Sequence, residues 1–146
     1  MRVKSAIGAA AERGFTLLEI MVVVVIIGLL AAIVVPNFMG SIDTAAINRA
    51  KQDIRGIETA LNLYRLDNFR YPTTDQGLEA LVTNPGETVA PNWKKYLPKV
   101  PVDPWKHPYR YISPGQQGDY DLFTYGADDQ EGGEGVNADI GNWNLD

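Results

Sequence analysis

The stretch that decides the fold is RGFTLLEIMVVVVIIGLLAAIVVP, residues 13 to 36. Between Phe15 and Val35 the only charged residue is Glu19. A helix over residues 15–35 would be about 30 Å long, which matches the hydrocarbon core of a bilayer. The stretch therefore predicts a membrane-spanning helix over residues 15–35.

The flanks of this span predict its orientation. Arg2, Lys4 and Arg13 precede it, so the positive-inside rule places the N-terminus in the cytoplasm and the rest of the chain outside it. The apolar region of a cleaved secretory signal is usually about 7–15 residues long and ends at a small-x-small site. This run is longer and has no convincing site of that kind before Pro36, so a plain membrane anchor remains as the simple alternative.

Glu19 is unusual within such a span. A carboxylate inside the membrane costs free energy, so it usually has a partner or a function. Cleavage between Gly14 and Phe15 would create an α-amino group four residues before Glu19, and helical positions four apart lie on one face. The acid would also lie at a helix N-terminus, where the macrodipole favours negative charge. We therefore predict a charge pair, within one chain or between neighbours, whose amine exists only after cleavage.

A second helical pattern follows the span. Pro36 lacks a backbone donor and clashes with the preceding turn, so it predicts a kink. Beyond it, apolar residues recur in steps of three and four, which predicts an amphipathic helix to about Leu66. The residues of this apolar stripe are Met39, Ile42, Ala46, Ala50, Ile54, Ile57, Leu61 and Tyr64.

The remaining residues predict a small sheet. Residues 71–81 are typical of a turn followed by a short helix, capped by Thr73 or Thr74. An irregular, proline-rich connection over 84–103 should be held to the core by Trp93, Tyr96, Leu97 and Val100. Strand patterns follow at 109–112 and 120–125, with a short one around 140–143. The predicted class is α+β, with the long helix packed on a small antiparallel sheet.

Composition and motifs exclude several classes of function. With 13 basic and 18 acidic residues, the net charge is -5, whereas nucleic-acid surfaces need clustered Lys and Arg. There is no cysteine, so no disulfide can stabilise the domain. No nucleophile elbow, phosphate loop or zinc spacing is found, and His107 is predicted to be a surface or packing residue. The sequence therefore does not predict an enzyme.

One loop carries the pattern of a cation site, GADDQEGGEGVNAD over residues 126–139. Its oxygen ligands alternate with glycines, as calcium sites require. Asp128, Gly133 and Asp139 match the first, sixth and twelfth positions of an EF-hand loop, but Gln130 and Gly132 do not fit, and strands rather than helices flank it. A calcium site and a solvated acidic loop are the two alternatives.

These motifs resemble known families. GFTLLE, residues 14–19, resembles the class III signal peptide of type IV prepilins and type II secretion pseudopilins. Together with YPTTDQGLEAL, VPVDPWKHPYRY and ADIGNW, it makes the chain similar to the major pseudopilins of type II secretion systems. The resemblance implies a type IV pilin-like fold, a leader 1–14 cleaved between Gly14 and Phe15, N-methylation of Phe15, and assembly guided by Glu19 with Phe15.

The resemblance also implies a function and its components. A major pseudopilin polymerises into a periplasmic filament that drives folded proteins across the outer membrane, with 15–35 in the inner membrane and 36–146 in the periplasm. The implied partners are further copies of the chain, minor pseudopilins, the prepilin peptidase, and the inner-membrane assembly platform with its ATPase. Calcium would be a structural cofactor, with ligands drawn from Asp128, Glu134 and Asp139, and with Asp129 and Asn137 as supplementary candidates.

Two alternatives remain from other classes of protein. The first is a major or minor type IV pilin, although the absence of a C-terminal cysteine pair disfavours the major type. The second is a membrane-anchored calcium-binding periplasmic module that uses the span only as an anchor.

Overall fold

One long helix forms the N-terminal part of the protein. The computed structural model describes residues 14–146, without the side chains of 36–39, so nearly all of the predicted leader 1–14 lies outside the described residues. Helix α1 spans Leu17–Asn68 and joins the predicted span to the predicted amphipathic helix. The helix continues through Pro36 without interruption. The predicted kink there involves a side chain outside the described set and stays a prediction.

Residues 14–35, the part of the first unit whose side chains are described, have no core of their own. The chain divides into two compact units, Met1–Met39 and Gly40–Asp146. Every large apolar side chain from Phe15 to Val35 is exposed in the single chain, from 46% at Val23 to 79% at Phe15. By length and composition, α1 could cross a membrane. These side chains therefore need lipid or other protein to cover them.

The second unit packs on the C-terminal half of α1. The predicted stripe is buried at Ala50, Ile54, Ile57, Leu61 and Tyr64, all at most 1% exposed. Ile42 was predicted to lie in the same stripe, but it is not packed on the domain, since its side chain is 62% exposed. Periodicity identifies the apolar face of a helix, but not how far the layer packed on it extends. Here that layer begins to cover the helix at Ile47.

A three-stranded antiparallel sheet covers this face of α1. Strands β1 (Arg110–Ile112), β2 (Asp121–Thr124) and β3 (Ile140–Gly141) are arranged in the order β1-β2-β3, which confirms the predicted α+β class. Tyr111 is paired with Leu122, and both belong to the core. Because side chains alternate along a strand, the opposite face carries Arg110, Ile112 and Phe123.

The predicted short helix is present but begins differently. It is a 3-10 helix over Leu78–Leu81, and its N-cap is Gly77 with φ 59°, with no side-chain cap. The predicted cap by Thr73 or Thr74 is wrong because both hydroxyls bond elsewhere. The Thr73 hydroxyl accepts from the Gln76 N–H at 3.4 Å, and the Thr74 hydroxyl donates to the Ser113 carbonyl at 3.0 Å.

The proline-rich connection is held to the core by its aromatic and aliphatic residues, as predicted. Those residues are half-buried against the core: Trp93, Tyr96, Leu97 and Val100. The Trp93 indole also donates to the Ala80 carbonyl at 2.7 Å. The connection is therefore ordered, although it contains no regular element.

Candidate functional site

The first candidate site is the start of α1. The Glu19 N–H donates to the Thr16 hydroxyl at 3.2 Å and to its carbonyl at 3.1 Å, so Thr16 is the N-cap and Glu19 is the third residue of the helix. This threonine followed three residues later by a glutamate has the spacing of a capping box, a signal that sequence reasoning overlooked. The cap fixes where the Glu19 carboxylate emerges from the helix.

The predicted cleavage and assembly residues lie together at this end. Gly14 and Phe15 precede the helix, and both Phe15 and Glu19 are exposed. An amine formed at Phe15 would therefore stand just before the first helical turn, and the macrodipole of that turn would favour the negative charge of Glu19. The Glu19 side chain is available to a group in its own chain or in another one.

The second candidate site is the acidic loop, residues 126–139, which joins β2 to β3. The Ala127 N–H donates to the Val136 carbonyl at 2.8 Å and closes its base. Gly133 has φ 86°, and a Cβ there would stand 2.5 Å from the Asn137 carbonyl oxygen. The glycines therefore let main-chain carbonyls approach the interior of the loop, which no larger residue would permit.

The acidic side chains of this loop point to different partners. Asp128 accepts from the Gln130 N–H at 3.2 Å, and both carboxylate oxygens of Asp139 accept from the Gly132 N–H at 3.0 Å. Glu134 is exposed and precedes a short 3-10 helix, Gly135–Asn137, without a side-chain capping bond, and Asn137 ends this helix. Across residues 14–146, no three His, Cys, Asp or Glu side chains form a group that could hold a metal ion.

Asp129 has a different environment from the other acids. Its φ is 53°, and its carboxylate is paired with Arg110 at 3.1 Å. The guanidinium carbon of Arg110 also lies 4.6 Å from the centroid of the Tyr125 ring. Sequence reasoning did not identify Arg110, because its role depends on a loop 19 residues away. Asp129 therefore stabilises the loop on the sheet.

The donor chemistry of the loop nevertheless fits calcium. Every candidate atom on Asp128, Glu134, Asn137 and Asp139 is an oxygen, the ligand that Ca²⁺ prefers. Because the carboxylates do not converge, a cation here would draw mainly on main-chain carbonyls and on one or two acidic side chains.

A buried carboxylate lies next to the start of the acidic loop. Asp103 is 1% exposed and accepts from the main-chain N–H groups of Trp105 at 3.0 Å and His107 at 2.8 Å. The Nδ1 atom of His107 lies 3.3 Å from the carbonyl oxygen of Gly126, the first residue of the loop. His107 is thus a half-buried packing residue next to the loop, in agreement with its predicted role.

Comparison with known proteins identifies the family. A family model described as type II secretion system (T2SS), protein G, matches residues 37–143, and one for the prokaryotic N-terminal methylation motif matches residues 9–35. The chain belongs to the type II secretion protein G family.

Similar proteins of the protein G family span nearly the whole chain. The type II secretion system core protein G of Vibrio cholerae is 56% identical over 136 residues, covering 92% of this chain and 93% of that protein. The Pseudomonas aeruginosa protein of the same name is 57% identical over 135 residues, covering 90% and 95%. The predicted family and class of function are therefore confirmed.

A solved protein G family structure has the same fold. It is the crystal structure of the major pseudopilin from the type 2 secretion system of enterohaemorrhagic Escherichia coli, with 42% identity and a TM-score of 0.63. The match covers 75% of this chain and 96% of that one. The predicted pilin-like α+β architecture is thereby confirmed.

Proposed function

We propose that the chain is the major structural subunit of a type II secretion pseudopilus, a periplasmic filament that drives the export of folded proteins across the outer membrane. The observation that carries this proposal is the uncovered apolar helix surface from Phe15 to Val35. In the membrane, lipid covers this surface. In a filament, the same surface of neighbouring copies replaces the lipid, so one helix serves as anchor and as filament core.

Glu19 supplies the register of that filament. In a bundle of apolar helices, an unpaired carboxylate would be costly, because little water screens or solvates it. An amine at Phe15 of a neighbouring copy would neutralise it only at one axial offset. The Thr16 cap supports this proposal because it fixes the first turn from which Glu19 projects.

The proposed topology follows from the charges that flank the span. Arg2, Lys4 and Arg13 keep the N-terminus in the cytoplasm, where a prepilin peptidase would cut after Gly14 and methylate Phe15. The unit after the span would face the periplasm. Minor pseudopilins and the inner-membrane assembly platform with its ATPase complete the proposed machine.

Mass spectrometry of the mature protein tests the processing step. We expect an N-terminus at methylated Phe15. A mature chain that still begins at Met1, or one cut beyond residue 30, would contradict the proposal and favour a plain anchor or a secretory signal.

The isosteric change Glu19→Gln tests the register step. We expect normal membrane insertion but loss of sedimentable filaments, because the neutral side chain cannot pair with an amine. Glu87→Gln, which removes one exposed charge from the second unit, should leave filaments unchanged. Filaments of normal length and yield from Glu19→Gln would show that the charge does not set the register.

We also propose calcium as a structural cofactor of the acidic loop. One or two of Asp128, Glu134 and Asp139 would supply carboxylate ligands, and Asn137 and main-chain carbonyls would complete the shell. Bound calcium would hold the loop in one conformation, in a domain that has no disulfide to do so. Asp129 is a weaker candidate because Arg110 already neutralises it.

Thermal melts with calcium and with excess EGTA test this cofactor. We expect a lower Tm in EGTA, since calcium stabilises the state that binds it. Asp139→Asn should reduce the calcium-dependent shift, whereas Asp129→Asn should preserve it. Equal Tm values with calcium and with EGTA would contradict a structural role for calcium in this loop.

A further inference from the structure

The sheet face opposite α1 carries an aromatic groove. The Phe123 ring lies 5.6 Å from that of Trp143 and 5.2 Å from that of Tyr125, centroid to centroid. These rings, with Ile112, form the floor of a cavity of about 200 Å³, which we call the sheet groove. A Cβ on Gly141 would stand 2.5 Å from the Trp143 ring, so this indole lies directly on β3. Trp143 is 42% exposed.

Acidic side chains surround this apolar floor. Asp121, Glu131 and Asp139 line the sheet groove, and none of the described residues that line it is cationic. Asp121 accepts the N–H groups of Gln116 and Gln117, and Asp139 accepts that of Gly132. Glu131 is exposed and has no hydrogen bond or ion pair within residues 14–146. The groove thus combines a stacking surface with an unpaired, exposed carboxylate that can accept hydrogen bonds from a cation.

Arg110, on the same sheet face, already illustrates the chemistry that fits such a surface. Its guanidinium stacks over Tyr125 and is paired with Asp129. A planar guanidinium can stack on an aromatic ring and donate hydrogen bonds in its own plane, which an ammonium group cannot do. We propose that the sheet groove binds an arginine side chain in an extended segment of another protein, stacked on Trp143 and hydrogen-bonded to Glu131.

The charges of this chain argue for a different protein rather than a second copy. Every arginine within residues 14–146 already has an acceptor in its own chain. These contacts are Arg49 with Asp53, Arg55 with the Leu145 carbonyl, Arg65 with Asp119, Arg70 with the Val89 carbonyl, and Arg110 with Asp129. To reach the groove of a second copy, one of these side chains would have to leave its present acceptor or share its donors between two acceptors. An arginine of another protein that has no acceptor of its own gives up no such contact.

Peptide titration of the full, unassembled chain in detergent micelles tests the proposal. The probe is a blocked tripeptide with arginine at its centre, and the readout is the indole N–H signal of Trp143, assigned with Trp143→Phe. We expect a saturable shift, and about fivefold weaker binding of the same peptide with citrulline, which is neutral, or with lysine. Because the chain is unassembled, the result does not depend on whether it polymerises.

A charge-matched pair of variants locates the binding. Glu131→Gln should weaken binding of the arginine peptide about fivefold, whereas Glu87→Gln, at another exposed acid that does not line the groove, should leave the binding unchanged. The proposal is overturned by the absence of a shift at millimolar peptide, by equal binding of arginine and citrulline peptides, or by equal effects of the two variants. A Trp143 signal that changes with protein concentration alone would overturn it in favour of a second copy.

Discussion

The hydroxyl of Thr124 donates a 2.6 Å hydrogen bond to the carboxylate of Asp103, and both side chains are 1% exposed. Thr124 ends β2, and its hydroxyl also accepts from the Gly126 N–H at 3.2 Å. A buried carboxylate with several donors costs little to keep, but much to disrupt. This pair therefore joins the connection before the sheet to the base of the acidic loop.

Asp103→Asn should lower the free energy of unfolding by about 2 kcal/mol, because charge-assisted bonds to buried donors are lost. Urea denaturation measures the change. Asp75→Asn, at an exposed position, should alter stability by less than about 0.5 kcal/mol. If the two variants are equally stable, Asp103 does not have this structural role.

Ile42 and Ile54 form a matched pair on one helix. Ile54→Ala should cost about 2–5 kcal/mol of unfolding free energy, because Ile54 is fully buried. Ile42→Ala should cost less than about 0.5 kcal/mol in the unassembled chain, since its side chain is 62% exposed. Similar losses in urea denaturation would mean that Ile42 is covered within the single chain.

Gly132 and Gly133 separate backbone strain from steric conflict. Both have positive φ, but a Cβ at residue 132 meets nothing within 4 Å, whereas one at residue 133 meets the Asn137 carbonyl oxygen at 2.5 Å. Gly132→Ala should cost about 1 kcal/mol, and Gly133→Ala clearly more. Thermal melts in calcium rank the two, and the reverse order would contradict this loop conformation.

One buried and one half-buried tyrosine predict a loss of stability at alkaline pH. Burial raises the pKa of Tyr111 to about 12, and burial together with the neighbouring Asp67 raises the pKa of Tyr96 to about 12. Below about pH 9, folded and unfolded chains both keep these protons, because the pKa of an unfolded tyrosine is about 10. Between pH 10 and 12, only the unfolded chain releases them, so the free energy of unfolding should fall as pH rises.

Absorbance at 295 nm checks this prediction directly. In the native protein, part of the tyrosine signal should appear well above the midpoint seen in guanidinium chloride. Tyr111→Phe should remove part of that delayed signal. Coincident native and denatured titrations would contradict the burial of these hydroxyl groups.

The elements of the fold could be predicted because their signals are local. The apolar run from Phe15, the three- and four-residue steps to Tyr64, and the strand patterns all act over a few residues, and the described helix and sheet follow them. The predicted cap at Thr74 failed for the opposite reason, whereas the Thr73 hydroxyl is engaged locally, by the Gln76 N–H of the turn before the helix. The Thr74 hydroxyl bonds to Ser113, 39 residues away, which no local pattern reveals.

The candidate sites could be predicted only in part. The acidic loop was recognised from its oxygen-rich composition, but the pairing of Asp129 with Arg110 depends on how the loop folds over the sheet. The structural role of Asp103 could not be predicted either, because a single aspartate before a proline is typical of an exposed turn. Tertiary packing is what buries its side chain. Local chemistry therefore indicated the loop, whereas the interactions that support it are tertiary.

The cap at Thr16 has a consequence for processing. Its hydroxyl and carbonyl start the helix, and neither belongs to the segment that cleavage after Gly14 would remove. Precursor and mature subunit would thus share the same first turn. Maturation at this site would be an electrostatic change rather than a conformational one, and readiness to polymerise would depend on the appearance of a single positive charge.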